Sequence, residues 1–452
     1  MPIAVDLGPQ TLRTLRALPM LLAAFAAGLA LGTSAGARVS FSPVFGIPED
    51  MVTGVSGTLL DDPRLVSGGS AMTTLSLSAF AGVGGVRTSA GGEITVFFRE
   101  ENAERLREFG RGTEVFAEGR LQRGSQGGGY VFSADSLHVT SVASPLNRFR
   151  TSLRLGLADR FARPGAALGD TAWGGLALAL LLGIRDNLDS GFTALYRGAG
   201  ISYILALSGM HLAVIIALVS FLLKKPLGLR PAAIAGALII IAYCFIVGPL
   251  PSLYRSALMY ILGVLAVLGM LKRESLSILS MAFIVQLVLT PQAGVSLSFI
   301  LSYLAMVGIL VLGKSLGVIF QGLIPRFVLG PFALSLGAFI GTAGVVAWVF
   351  GDLRPVGIFA GLVVAPFTTV FMVGSMVWLV VDAVLPGLSP LVSWPLAMLY
   401  RAMEETARLA GFLPGIRANP YLVLLFSLAI AGGLVWLGWW LRVRRDRLEP
   451  FA

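Results

Sequence analysis

The residues best suited to chemistry in this chain are few, and most lie inside apolar segments. Ser208 and His211 stand three apart in Ile201-Ser-Tyr-Ile-Leu-Ala-Leu-Ser-Gly-Met-His211, a spacing that shares one helix face. A histidine at membrane depth is a functional candidate that faces a bundle interior or a wet cavity. The bland alternative is a structural donor to a neighbouring carbonyl, with Ser208 and Gly209 allowing close helix approach. A Ser/His hydrolytic pair is disfavoured, because no acid lies nearby in sequence to orient the imidazole. Arg255 ends Pro251-Ser-Leu-Tyr-Arg255, where it can snorkel to headgroups or hold a phosphate by its planar fork. Ser298 and Ser302 lie four apart on one face, and Gln286 adds hydrogen-bonding capacity in the preceding segment.

Catalytic and metal chemistry find little support. Two histidines, His138 and His211, and the single Cys244 cannot build a Cys/His zinc site. The HExxH pattern is absent. Two-metal phosphodiester cleavage needs clustered carboxylates or histidines, but between Asp170 and the basic tail the close acidic pairs are Asp186/Asp189 and Glu404/Glu405. Arg185 and Arg197 flank the first pair, and Arg401 and Arg408 the second, so ion pairing is the ordinary reading. No catalytic residue, metal or cofactor is expected.

The elements that must position these residues follow from composition. Charged residues make up 13% of the 452, hydrophobic residues 56%, and the net charge is +10. A soluble domain carries about 25% charged residues, so an ordinary soluble enzyme is excluded and most of the chain belongs in a bilayer. The apolar run Leu18–Leu31 follows Arg13 and Arg16, and makes residues 1–37 an N-terminal membrane anchor, with a cleaved signal peptide as the alternative. Residues 38–145 differ. Alternating stretches at 52–60, 92–98, 113–121 and 130–134, separated by Gly, Asp and Ser clusters, predict a small β-barrel of the OB type. Its aromatics Phe97, Phe98, Phe116, Tyr130 and Phe132 are read as barrel core, with base stacking the alternative. Residues 146–170 punctuate leucines with arginines as a basic amphipathic helix on a membrane surface would.

Residues 171–441 form the membrane region. Candidate spans are 201–223, 232–250, 256–271, 276–290, 297–313, 331–350 and 420–441. The segment 171–184 is too short to cross comfortably, and 315–329 and 389–411 read as interfacial. Pro366 interrupts 355–385, which is long enough for two half-spans. The positive-inside rule places Lys224, Lys225, Arg230, Lys272, Arg273, Lys314 and the basic tail 442–452 in the cytoplasm. The fold class is therefore a polytopic α-helical membrane protein with an N-terminal extracytoplasmic all-β (OB-like barrel) domain.

At these residues the chain resembles a known family. Leu182-Gly-Ile-Arg-Asp through Gly198-Ala-Gly to Ser208-Gly-Met-His211 resembles the signature of the ComEC competence family. So do Pro251-Ser-Leu-Tyr-Arg-Ser-Ala-Leu-Met259, Ser298-Phe-Ile-Leu-Ser-Tyr-Leu-Ala305, and Phe350-Gly-Asp-Leu through Gly357-Ile-Phe-Ala-Gly-Leu-Val-Val-Ala-Pro366. Val55-Ser-Gly-Thr-Leu with Asp62-Pro-Arg64 resembles that family's N-terminal domain. The resemblance implies a bacterial inner-membrane channel passing single-stranded DNA inward during natural transformation. Ser208, Gly209, His211, Arg255, Ser298, Ser302 and Pro366 would form its path or structural signature. Implied partners are a DNA receptor, a cytoplasmic helicase, a separate nuclease, the lipid bilayer and further copies of the chain. The separate nuclease is expected because the sequence ends at Ala452 without the family's C-terminal metallo-β-lactamase-like domain.

Three positions depart from the family pattern: Tyr203 stands for His, Ile300 for Gln and Gly361 for Asn. These replacements motivate a rival, a transporter or flippase for another anionic molecule or a paralogue that does not handle DNA. A membrane enzyme is the least favoured class.

Overall fold

The computed structural model describes residues 51–66, 69–83, 87–123, 130–162, 172–207, 209–248, 250–269 and 274–448. The anchor expected over 1–37 lies outside them. Two compact units are present: the described residues up to Leu188 together with Phe245–Gly248, and the remainder from Asp189 onward.

The first unit is built on seven strands: β1 (Val52–Leu59), β2 (Arg64–Leu65), β3 (Ala71–Gly82), β4 (Arg87–Ser89), β5 (Glu93–Phe98), β6 (Glu114–Arg123) and β7 (Tyr130–Ser141). Pairing runs β1–β6–β7–β5–β3, and β3 pairs back onto β1, which closes a five-stranded barrel. Every pairing is antiparallel except β5 with β7. A parallel pair needs a crossover, supplied here by helix α1 (Glu100–Glu108) and β6. This is the OB arrangement. Alternation drives it: Val55, Leu75, Val96, Phe98, Val115 and Phe132 point inward and are fully buried.

The barrel also carries one helix, α1. Its nine residues are mostly charged, but Ala103 and Leu106, three apart, give it one apolar face that seals against the core. The long β3 also escaped the sequence reading, because its Ser and Thr residues resemble a loop. Of the aromatics considered for stacking, Phe98 and Phe132 are core. Phe116 is half-buried outside, with the Arg87 guanidinium 4.6 Å above its ring and His138 stacked on it.

Two further helices complete this unit, α2 (Pro145–Ala162) and α3 (Ala172–Leu182). The arginines expected to paint α2 as a surface helix partly turn inward. Arg150 grips Asp62 with both terminal nitrogens, at 2.9 and 2.7 Å. Its Nε donates to Phe245 O at 2.8 Å, and Arg154 Nη1 donates to Ile246 O and Val247 O at 2.9 and 2.8 Å. Those carbonyls end the helix Leu229–Val247, and the last turn of any helix lacks intrahelical donors. Leu146 and Phe149 are exposed instead.

The second unit is helical: α4 (Ser190–Gly198), α5 (Ser202–Leu205), α6 (Gly209–Leu227), α7 (Leu229–Val247, whose end belongs to the first unit), α8 (Pro251–Leu268), α9 (Ser275–Leu289), α10 (Leu297–Ile319), α11 (Arg326–Phe350), α12 (Val356–Val384), α13 (Ser389–Gly411) and α14 (Pro420–Leu448). Among the described residues, seven helices are long and apolar enough to cross a membrane: α6, α7, α8, α10, α11, α12 and α14.

Four expectations change. The span 201–223 is broken, with Ala206 extended between α5 and α6. The span expected at 276–290 is only 15 residues of helix, short of the roughly 20 that a bilayer requires. Residues 315–319 continue α10 through a π-helical turn at Gly308–Leu312. Residues 356–384 are one continuous helix with Pro366 inside it, not two half-spans. The Thr368 and Thr369 hydroxyls donate to Val364 O and Ala365 O one turn back in the same helix.

Burial raises the Asp62 carboxyl, but hydrogen bonds from Arg150 and the charge of Arg154 outweigh it and hold the group below its usual range. Its stabilising contribution is therefore present above the unfolded carboxylate value and lost as pH falls through the lower folded value. Asp62→Asn strands two buried guanidinium groups, and is expected to destabilise the folded chain by on the order of 3 kcal/mol. Thermal unfolding at neutral pH checks this, with Asp61→Asn as the near-neutral control. The gap between wild type and Asp62→Asn should close on acidification.

Candidate functional site

The polar residues of the helical unit gather at the start of α8. Pro251 opens that helix, where a missing N–H costs nothing, and the next turn carries Ser252, Arg255 and Ser256. Arg255 is only 5% exposed. One terminal nitrogen donates to the carbonyl of Ser302, the other lies 3.4 Å from Ser256 Oγ, and the guanidinium sits 5.9 Å from the centre of the Tyr303 ring. The Tyr303 hydroxyl donates to Gln286 Oε1 at 2.9 Å, and Gln286 Nε2 donates to Pro251 O at 2.9 Å. A chain of bonds thus links α8, α9 and α10. Among the described residues no carboxylate pairs with Arg255, and its Nε has no hydrogen-bond acceptor.

The helix break adjoins this cluster. Ser252 Oγ donates to Leu207 O at 2.6 Å, which satisfies a carbonyl freed where the backbone is extended. The α6 helix then begins at Gly209. A Cβ on Gly209 would sit 2.7 Å from Ser256 Oγ and 3.1 Å from Arg255 Nη2, so the first turn of α6 lies directly against the buried cation. A helix N-terminus presents unpaired N–H groups and positive dipole. The arrangement therefore concentrates hydrogen-bond donors and positive charge at one point in an apolar bundle. Chemically it can receive an anion.

The other signature blocks converge as well. Arg354 donates to Gly198 O and to Asp352 Oδ2 at 2.9 Å. Gly357 lies on Gly200, where a Cβ would meet Gly200 O at 2.5 Å. Gly200 itself has φ +72, a backbone region that favours glycine. Tyr203 and Gly361, two of the departures from the family pattern, touch: a Cβ on Gly361 would meet the Tyr203 hydroxyl at 2.2 Å. The tyrosine occupies space that a larger residue at 361 would need. Ile300 packs against the Leu279, Phe283, Phe299 and Tyr303 cluster.

The sequence-derived candidates divide. Arg255 and Gly209 are together, and Arg255 is not a snorkelling side chain. His211 is completely buried in the first turn of α6. Ser302 contributes its carbonyl. Ser298 is exposed, as is Pro366 on the outer face of α12. Ser208 lies outside the described residues, and so does the helical face expected to join it to His211. Ser256 and Tyr303 were missed as site residues; Ser256, one position beyond Arg255 in the same motif, was the available signal. The acidic pairs have ordinary partners: Glu404 and Glu405 meet Arg408, Asp186 lies 3.7 Å from Arg107, and Asp189 caps α4 through Gly191 and Phe192 N–H groups.

Comparison with known proteins covers the same region. A family model described as "Competence protein" matches residues 180–444. An "Uncharacterized protein" of Aquifex aeolicus (strain VF5) is 27% identical over 260 residues, 57% of this chain and 60% of that protein. The chain thus spans about three-fifths of that relative's length. No solved structure matches.

Gly357→Ala places a methyl against the backbone of Gly200 and Ala199, which cannot swing away as a side chain can. It is expected to lower stability by about 1–3 kcal/mol, read as thermal unfolding of the purified protein. Gly361→Ala meets only the tip of Tyr203, so its smaller loss should be recovered in the double variant with Tyr203→Phe.

Proposed function

Because the chain belongs to the Competence protein family, we propose that its helical unit conducts single-stranded DNA inward across the bacterial inner membrane during natural transformation. Membership supports a role in DNA uptake, and seven apolar helices make a multi-pass membrane protein. The observation that carries the finer reading is Arg255: a buried guanidinium with no carboxylate partner among the described residues, set against the first turn of α6. An intramembrane charge is costly and is retained where it works. A phosphodiester passing this point would supply the missing negative charge to a donor set that is already oriented.

In this reading the strand domain is extracytoplasmic and the C-terminus cytoplasmic. A receptor delivers DNA, a cytoplasmic helicase draws it in, and a separate nuclease removes the other strand. Further copies of the chain join the assembly. The chain's own acids serve ion pairs and a helix cap, which supports conduction without cleavage. Transport of a smaller anion is the second reading, favoured by Tyr203 packed on Gly361 where the family pattern is polar.

Transformation of a deletion strain complemented with this chain is the test. The wild-type chain should restore it, Arg255→Gln should lower it at least about a hundredfold at equal membrane abundance, and Arg255→Lys should retain part. The hundredfold figure corresponds to about 2.7 kcal/mol of lost stabilisation. Transformation that survives deletion of the gene would refute the reading. In the purified chain, Mg²⁺ or Mn²⁺ should elicit no DNA cleavage, and cleavage that disappears in Asp186→Ala or Glu404→Ala would overturn the absence of a nuclease.

A further inference from the structure

Phe116 faces away from the barrel core. It alternates along β6 with Val115 and Ala117, which are buried, so it shares the outer face of the strand with Glu118. Gly54 pairs with Glu118 across β1 and β6, and a Cβ there would meet Phe116 Cε2 at 2.9 Å. Glycine at 54 is what leaves room for the ring. The Arg87 guanidinium covers that ring at 4.6 Å from its centre. His138, the register partner of Phe116 on β7, stacks beside it with centroids 6.4 Å and planes 26° apart. Strand β4 delivers Arg87 by pairing it with Ala81 at the end of β3, and Ala81 in turn faces Gly54. Arg87, Glu118 and His138 are exposed. Thr53, Ala81, Arg87, Phe116 and Glu118 line a cavity of about 340 Å³.

The walls of this cavity differ in chemistry. The ring and the guanidinium are flat, and nucleobases stack on aromatic side chains and on arginine planes alike. Glu118 is a carboxylate and only accepts hydrogen bonds. Its Oε2 takes one from Ser136 Oγ at 3.3 Å, which leaves most of its lone pairs to a ligand. Cytosine and adenine carry an exocyclic amino group that donates to such an oxygen, whereas thymine offers a carbonyl at the equivalent edge. One cation and one carboxylate cancel, so the cavity exerts little net pull on a phosphate. The strand domain as a whole holds more acidic than basic residues, which weakens the phosphate attraction that supplies most non-specific affinity. A strand retained here is retained by its bases. Bases paired in a duplex cannot enter.

We propose that Arg87, Phe116, His138 and Glu118 form a binding site for one unpaired base of single-stranded DNA, with cytosine or adenine preferred over thymine. This rests on the DNA-handling reading above and adds a contact outside the helical unit. Oligonucleotides on OB folds ordinarily use the face of the second and third barrel strands, which are β3 and β5 here. This cavity lies instead on the side where β1 meets β6.

The test measures binding of labelled single strands of about ten nucleotides to the full chain in phosphatidylcholine nanodiscs. Oligodeoxycytidine should bind about fivefold more tightly than oligothymidine, the low end of what a base-edge contact discriminates, and Glu118→Ala should erase that preference. Phe116→Leu with Arg87→Gln should weaken oligodeoxycytidine about tenfold, the loss of one stack, and bring it level with an abasic strand of the same length and charge. Arg87→Gln alone, at an exposed position that leaves the barrel core untouched, should weaken it about threefold. Phe97→Leu, at a half-buried aromatic on β5, should leave binding unchanged. No binding by wild type, no preference for cytosine, equal binding by wild type and the Arg87 variants, or an equal loss in Phe97→Leu overturns the site. So does equal affinity for the duplex of the same strand, or for free deoxycytidine monophosphate, which would assign the cavity to a free nucleotide. A wild-type chain that binds through this cavity but does not restore transformation would sink the conduction reading alone.

Discussion

A guanidinium taken out of water must recover most of its hydration from the protein, at a cost of several kcal/mol where it does not. Arg255 sets this condition for the helical unit. The Ser302 carbonyl, the Ser256 hydroxyl and the Tyr303 ring each supply part of what water gave. Tyr303 is fixed by Gln286, and Gln286 by the carbonyl of Pro251 on the helix that carries the arginine. The bonds run across three helices and return to the first. None of the partners is anionic, so the positive charge is solvated but not neutralised.

The first unit meets the same condition in the opposite way. Arg150 and Arg154 are also withdrawn from water, but they find a carboxylate and the terminal carbonyls of Leu229–Val247. Their charge is consumed in holding a turn and a helix end. Comparison of the two sites shows why burial of arginine alone says little about function: the identity of the acceptors decides it. Asp62 pairs with the arginines of one site, whereas among the described residues no acid meets Arg255.

Close backbone approach is the second constraint. Gly357 meets Gly200 backbone at a distance a methyl would forbid, and Gly209 sits against the side chains of Ser256 and Arg255. In an apolar bundle without a hydrophobic drive between helices, small residues and interhelical hydrogen bonds are the available means of association. The break between α5 and α6 is tolerable at this depth because Ser252 covers the carbonyl of Leu207. Polar residues therefore do two jobs: some stabilise the break, and one remains charged beside it.

Composition and periodicity determined a great deal on their own. Sparse charge and long apolar runs made a multi-pass helical protein unavoidable, since nothing else buries so much apolar surface. Period-two alternation at 52–60, 92–98 and 113–121 marked a barrel. Motif residues singled out Arg255 and Gly209. Other features depended on contacts distant in sequence. The inward turn of Arg150 and Arg154 needed acceptors nearly a hundred residues away, at Asp62 and Phe245–Val247. The parallel β5–β7 pair and the small helix α1 were invisible because crossover and packing, not local propensity, create them. Pro366 read as a break although its helix runs on through it, and the break at Ala206 read as continuous because the run Ile204–Leu207 is apolar. Hydropathy registers what a segment can be buried in. Where its backbone bends, and which polar atoms meet there, is decided only when distant donors and acceptors are brought within bonding distance.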